Sequence, residues 1–216
     1  MIRTCQTIIA LFLTLLLCGP VEAQHVGPYL GAFIGGNALA KAKGSDVAGD
    51  FGLTFDRALQ GSALLGWDLA PDNSVGKGRI ELEYTRRTNQ IDTVKFVEGN
   101  FKGGGNATSD SLLLNVYGVD HENSRLSPYI GVGIGASRIK VADLQVTGVT
   151  ISNDSNVVFA YQVGVGIDVA VTDYLNIDIG YRFFSSSKPK FTEVNGQKFE
   201  MDYASHSAVL GVRVGF

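Results

Sequence analysis

The sequence predicts an all-β protein, an eight-stranded antiparallel transmembrane β-barrel with an up-and-down meander. Three observations lead to this fold class. Apolar residues recur at every second position, long and short connections alternate, and charged residues share a strand face with glycines. A period of two is typical of strands, and short turns that alternate with longer loops are typical of membrane barrels.

The eight strands are predicted from segments in which apolar side chains occupy one face. In the clearest segment, 157–169, the odd positions are apolar, whereas the even positions are mostly small or polar. Two further segments, 28–35 and 128–135, are rich in glycine and resemble each other. In chain order, we expect strands near 28–35, 60–69, 77–87, 111–119, 128–135, 157–169, 175–184 and 207–216.

The connections between these strands alternate in length. Polar stretches of loop composition are long at 37–59, 88–106, 141–156 and 185–198, and short at 71–74, 121–125 and 170–173. In a meander, the long connections all lie at one end of the barrel. We therefore expect four long extracellular loops, with both termini on the periplasmic side.

The face that carries the charges is expected to point into the barrel. An eight-stranded interior is just wide enough to be filled by side chains, and inward glycines leave room for long ones. Buried charges persist only when they are paired, and this set, with four positive and five negative groups, can pair. The predicted interior charge network consists of Asp68, Arg79, Glu81, Glu83, Arg87, Asp168, Asp178, Arg182 and Arg213.

Aromatic residues near the strand ends are expected to form the girdles that flank the lipid-facing band of membrane barrels. They are Tyr29, Trp67, Tyr84, Tyr129, Tyr174, Tyr181 and Phe216.

The first 23 residues have the pattern of a secretory signal peptide. Arg3 precedes an apolar run that is too short to span a bilayer, and small residues precede a cleavage point after Ala23. We expect a mature barrel of residues 24–216. Both cysteines, Cys5 and Cys18, lie in the signal, so the mature chain has no disulfide.

Five stretches of the chain resemble outer-membrane β-barrels of the OmpA-like and opacity-protein (surface antigen) type. They are PYLGAFIGG, GWDLAPDNSVGKGRIELEY, SPYIGVGIGAS, YLNIDIGYRF and HSAVLGVRVGF. The resemblance implies integral insertion in the bacterial outer membrane by the barrel-assembly machinery, after delivery by periplasmic chaperones. Gly211, Val214 and Phe216 resemble the C-terminal signal that this machinery reads, although the family more often has an aromatic residue at position 214.

Two local motifs are considered as sites. Gly131, Gly133 and Gly135 spell a dinucleotide-binding fingerprint, but neither the strand nor the helix that such a loop requires is indicated, so the glycines are assigned to an inward strand face with room for arginines. Ser205-His206-Ser207 suggests a nucleophile and base, but alternation places His206 on the opposite face from both serines. No catalytic residue, cofactor or metal site is therefore assigned.

The predicted function is a structural or surface-interaction role in envelope integrity, adhesion or host contact, without an open large pore. The partners would be outer-membrane lipids, lipopolysaccharide, and host or surface ligands of the loops. The net charge of −3 gives no reason to expect nucleic-acid binding. Two alternatives stay open, namely a lipid A-modifying enzyme and a soluble lipocalin-like binding barrel.

Overall fold

The computed structural model describes residues 26–47, 49–69, 77–120 and 125–216. The twelve strands in this part of the chain are β1 (Gly27–Leu39), β2 (Ala42–Ser45), β3 (Asp50–Phe55), β4 (Ala58–Leu69), β5 (Gly78–Phe96), β6 (Gly99–Val119), β7 (Leu126–Val146), β8 (Val149–Ala170), β9 (Leu175–Ser186), β10 (Lys190–Thr192), β11 (Lys198–Met201) and β12 (Ala204–Gly215).

Eight of these strands close into an antiparallel ring in the order β1, β4, β5, β6, β7, β8, β9 and β12. Strand β1 pairs with β4 on one side and with β12 on the other, so that Tyr29 lies opposite both Gly66 and Gly215. Every expected strand corresponds to one member of this ring, which confirms the predicted eight-stranded meander.

Four short strands build a second structure, here called the cap, at the end of the barrel opposite the two termini. Strands β10, β11, β2 and β3 form a small sheet that continues onto the protruding part of β5. The cap therefore consists of ordered strands, and it shares strands with the barrel below it.

Two polar stretches that were interpreted as loops are hairpins in the structure. Strand β5 runs directly into β6 through a turn at Val97 and Glu98, and β7 turns into β8 at Thr147 and Gly148. The last two residues have φ values of 51° and 84°, as a tight hairpin turn requires. Strands of 19–22 residues exceed the roughly 9–11 residues that span a membrane, so they protrude into the cap.

Period-two alternation decides which side chains face lipid. On the outer wall, residues such as Leu30, Leu114, Val132 and Leu210 are about half exposed, whereas their sequence neighbours point inward. Leu64 and Leu113 are apolar residues at positions where the alternation expects the inner face, and both are buried there.

The expected signal peptide of residues 1–23, with cleavage after Ala23, lies outside the described residues. So do the short turn at 71–74 and most of the one at 121–125. In the described part of the chain, no helix is long and apolar enough to cross a membrane.

Candidate functional site: the barrel interior and the cap

The structure brings all nine predicted network residues to the inner wall. Eight are buried, and Asp68, near the terminal end, is partly exposed. Since no water reaches most of them, their charges depend on one another and on polar neighbours.

Arg79 is the hub of the network near the termini. Its Nε lies 2.8 Å from Glu81 Oε1, its Nη2 lies 3.4 Å from Asp178 Oδ2, and its Nη1 pairs with Asp168. Arg213 extends this group, with Nη2 at 2.5 Å from Asp168 Oδ2 and Nη1 at 3.5 Å from Asp68 Oδ2.

A second group lies farther towards the cap. Arg182 pairs with Glu83, and Glu83 Oε2 also accepts a hydrogen bond of 2.8 Å from Asn115 Nδ2. Arg87 differs from the other three network arginines because its hydrogen bonds go to neutral side chains. Its Nη1 donates to Ser111 Oγ at 2.9 Å, and its Nη2 donates to the Gln162 side-chain carbonyl at 3.3 Å.

Aromatic rings complete the filling of the interior. Each of the four arginines lies over at least one ring, at 4.2–4.9 Å from the ring centroid, where cation–π attraction is favourable. The pairs are Arg79 with Tyr117 and Tyr129, Arg87 with Phe184, Arg182 with Phe33, and Arg213 with Tyr29.

Three inward glycines of β7, Gly131, Gly133 and Gly135, make space for the neighbouring strand β6 rather than for arginines, contrary to the expectation from the sequence. A Cβ at Gly131 would lie 2.3 Å from the Tyr117 ring, and one at Gly133 would collide with the Asn115 side chain. At Gly135, the Cβ would lie 2.1 Å from the backbone oxygen of Leu112.

Two predicted girdle residues belong to the interior instead. Tyr29 and Tyr129 are 1% and 3% exposed, and their hydroxyls donate to Glu81 at 2.6 Å and Asp178 at 2.7 Å. Alternation explains the error, since Tyr29 shares a face with Gly31, and Tyr129 shares one with Gly131. The other five, Trp67, Tyr84, Tyr174, Tyr181 and Phe216, are 44–65% exposed.

The geometry around His206 does not assemble a nucleophile and a base. His206 is on the outer face, with Nδ1 at 2.6 Å from the Tyr181 hydroxyl. Ser205 and Ser207 are buried on the inner face, where Ser207 Oγ lies 2.8 Å from Gln60 Oε1. The described residues also contain no cluster of three or more His, Cys, Asp or Glu side chains that could hold a metal ion.

The C-terminal residues of the predicted assembly signal lie on both faces of β12. Gly211 faces inward, where the Phe33 ring fills the space that a Cβ would need. Val214 and Phe216 face outward and are 48% and 65% exposed.

The cap has an apolar core that continues into the barrel interior at Leu113 and Phe184, and the sequence analysis did not predict it. Buried side chains from β2, β3, β10 and β11 pack together with the protruding ends of the long strands; among them are Leu53, Ile91, Leu144, Phe199 and Met201. The signal for this core is the alternation of apolar and polar residues within the stretches that were interpreted as loops.

Asp154 fastens β8 to β10 in the cap, outside the membrane-spanning part. Its carboxylate accepts backbone hydrogen bonds from Thr192 N–H at 2.8 Å and Ser155 N–H at 2.7 Å. Because both bonds favour the charged form, the one from Thr192 most, they hold the pKa of Asp154 below its usual range.

Comparison of the sequence with known families gives a match to the surface antigen family over residues 87–212, which is more than half of the chain. The outer membrane protein PagN of Salmonella typhimurium is 27% identical over 118 residues, covering 49% of each protein. The chain therefore spans about half the length of this curated relative.

Solved structures with a similar fold include OprG, an outer membrane protein from Pseudomonas aeruginosa. It superimposes with a TM-score of 0.58 at 14% identity, covering 91% of this chain and 100% of that one. Neisserial surface protein A gives a TM-score of 0.52 at 20% identity, covering 88% and 97%. These similarities show the barrel fold.

The soluble lipocalin-like alternative is wrong, because a lipocalin-like barrel has its apolar face inside, whereas this barrel has charges inside and an apolar outer band. The family match and the fold agree with the expected location. The chain belongs to the surface antigen family and is an integral β-barrel protein of the bacterial outer membrane.

Proposed function

We propose that this protein acts in surface interaction, through a cap that four extracellular segments form above a closed barrel. The barrel itself offers little for recognition, since its outer wall meets lipid and its inner wall is filled with paired charges and rings. Specific function in such proteins is carried by the connecting segments. Envelope integrity, adhesion and host contact are the roles that this arrangement supports.

The observation that carries the proposal is an exposed valine at each of the four cap turns. Val47, Val97, Val149 and Val194 are 74%, 93%, 63% and 76% exposed. One such residue would be ordinary, but repetition at every turn places apolar surface where the chain reaches farthest from the membrane. Exposed apolar surface rimmed by polar residues is typical of interaction sites.

The same proposal includes how the chain is exported, inserted and oriented in the outer membrane. Residues 1–23 act as a signal peptide that is removed after Ala23, and residues 24–216 form the barrel with both termini in the periplasm. The assembly machinery, supplied by periplasmic chaperones, reads Gly211, Val214 and Phe216. The lipid-exposed positions of Val214 and Phe216 support this role, because a signal on the outer face is accessible during insertion.

The experiment compares cells that display the wild-type protein with cells that display a variant in which all four turn valines are serine. Protease shaving of intact cells should cleave the cap in both. Adhesion to host cells or to matrix proteins should fall in the variant at equal surface amounts. A matched control replaces Thr150, Thr192, Asn100 and Asn195 with serine. Resistance of the cap to shaving, or equal adhesion by variant and control, would contradict the proposal.

Lipopolysaccharide is the proposed lipid partner. Arg86, Arg138 and Lys140 point outward just above the apolar band of their strands, where the phosphates of an outer leaflet would lie. Arg86 and Arg138 flank Asp110 on neighbouring strands, so the row is net positive. Charge-assisted bonds of arginine to phosphate are among the stronger polar contacts.

The barrel is proposed to conduct no large solutes. The two ion-paired groups and the stacked rings occupy the described inner wall from Asp68 to Arg87. Liposomes that contain the refolded protein should therefore swell no faster in sugar solutions than empty liposomes. Swelling in a disaccharide would show an open pore.

A further inference from the structure

The four cap turns converge on a recess. A partly enclosed cavity of about 170 Å³ lies among them, and its lining draws on every turn. Asp46 lies in the first turn and Glu193 in the fourth, while Phe96 and Val146 are the strand residues that immediately precede the second and third turns. The cavity is separate from the barrel interior and from the charge network.

Three phenylalanine rings form one wall of this recess. Phe51 lies between the other two, with ring centroids 6.2 Å from Phe96 and 5.9 Å from Phe199. Gly44 supports the arrangement, because a Cβ there would lie 2.3 Å from the Phe51 ring. Leu144 and Val146 from the opposite hairpin contribute further apolar lining.

Among the described residues, the ionisable side chains that line the recess are both acidic. They are Asp46 and Glu193. The lysines nearest along the chain, Lys95 and Lys198, adjoin Phe96 and Phe199, and strand alternation turns them away into solvent. Ring faces and carboxylates both attract cations, so the recess should favour cations over anions and neutral molecules of the same shape.

We propose that this recess, here called the turn pocket, binds a small organic ammonium ion. An aromatic or aliphatic group would fill the apolar part, while the ammonium would lie at the phenylalanine faces and the two carboxylates. The size fits, since an engineered apolar cavity of about 150 Å³ stays dry and takes up benzene. Binding does not depend on contact between the turns and another surface, so it goes beyond the surface-interaction role.

The proposal sets a clear order of preference among ligands of equal shape. Benzylamine is protonated at neutral pH and has a ring on a one-carbon stem. Benzyl alcohol has the same ring and stem but no charge. The turn pocket should bind the ammonium compound about fivefold more tightly, which is the scale of a partly exposed ion pair.

The test uses the full-length protein in lipid nanodiscs, with empty nanodiscs as the blank for partitioning into lipid. Binding of benzylamine and benzyl alcohol is followed by ligand-observed NMR titration. In the double variant Asp46→Asn, Glu193→Gln, benzylamine should bind about fivefold more weakly while benzyl alcohol is unaffected. The matched control, Asp50→Asn with Glu98→Gln, removes two exposed acids beside the first and second turns that do not line the pocket.

A second variant, Val146→Trp, fills the recess and should abolish binding of both compounds. Slower gel migration after boiling verifies that each variant still forms a barrel. Three results would overturn the proposal. They are no saturable binding above the empty nanodiscs, equal affinity for the two compounds, and unchanged benzylamine binding in either pocket variant.

Discussion

Arg182 and Glu83 form a buried ion pair that joins opposite walls of the barrel. Glu83 is on β5 and Arg182 is on β9, which are four strands apart in a ring of eight. Both side chains are 1% exposed. A contact of this kind fixes the barrel cross-section, because it connects strands that share no backbone hydrogen bonds.

Loss of one partner in this pair should destabilise the barrel strongly. In Glu83→Gln, the Arg182 guanidinium stays buried without its counter-charge. In Arg182→Met, the Glu83 carboxylate stays buried without its counter-charge. A penalty of about 3–5 kcal/mol is expected for each. The double variant should lose less than the sum of the two. Urea unfolding in detergent measures all three, and additive losses would mean that the residues act independently.

The inward glycines of β7 should be intolerant of any side chain. Gly135→Ala places a Cβ against the Leu112 backbone, which cannot move without breaking the β6–β7 pairing, and Gly133→Leu is expected to fail for lack of room. Gly36→Ala and Gly61→Ala are matched controls, since nothing lies within 4 Å of their added Cβ. Refolded yield, read from heat-modifiable gel migration, should fall only for the β7 variants. Equal yields would contradict the inward register.

The order of the barrel strands and the inward position of the charges could be predicted because both depend on local information. Period two assigns each side chain to a face, and the chemistry of the two faces decides which one meets lipid. The same alternation assigns Tyr29 and Tyr129 to the inner face. Their nearness to the strand ends suggested a girdle position instead, and here the alternation is the better guide.

The partners within the network could not be predicted in the same way. Arg182 and Glu83 are 99 positions apart, and their contact depends on the stagger of strands around the ring, which no local pattern encodes.

The strands of the cap could not be predicted for another reason. Protruding hairpins are solvated on one face, so their composition is that of loops, and only the alternation within 88–106 and 141–156 marks them as strands.

Removal of the outward basic row should weaken binding to lipopolysaccharide. The triple variant Arg86→Gln, Arg138→Gln, Lys140→Gln loses three cations at the outer edge of the apolar band, so retention of lipopolysaccharide in purified barrels should fall. Lys43→Gln, Lys95→Gln and Lys190→Gln, in the cap, make a control with the same loss of charge. A similar fall in both variants would mean that net charge, rather than position, governs the interaction.

Replacement of His206 should leave lipid A unchanged. Its Nδ1 is engaged with the Tyr181 hydroxyl on the lipid-facing wall, and the neighbouring serines are on the other side of the strand. Mass spectra of lipid A from cells with the wild-type protein, with His206→Ala and without the protein should show the same acylation pattern. A pattern that changes on deletion and follows His206→Ala would favour the enzyme alternative.

The junction between β8 and β10 in the cap should loosen in acid. The pKa of Asp154 is lowered in the folded protein, because two backbone N–H groups donate to the carboxylate. Because the pKa is lower in the folded protein, the Asp154 carboxylate contributes its full stabilisation above the ordinary aspartate pKa of about 3.9. This stabilisation is lost as the pH falls through the pKa that Asp154 has in the folded protein. Exchange of the Thr192 amide, corrected for its intrinsic pH dependence, should therefore accelerate below about pH 4. In Asp154→Ala, exchange of the Thr192 amide should already be fast at neutral pH, and it should show no further acceleration below about pH 4. If the wild-type exchange stays protected down to pH 2, or the variant retains the same acid response, Asp154 does not control this junction.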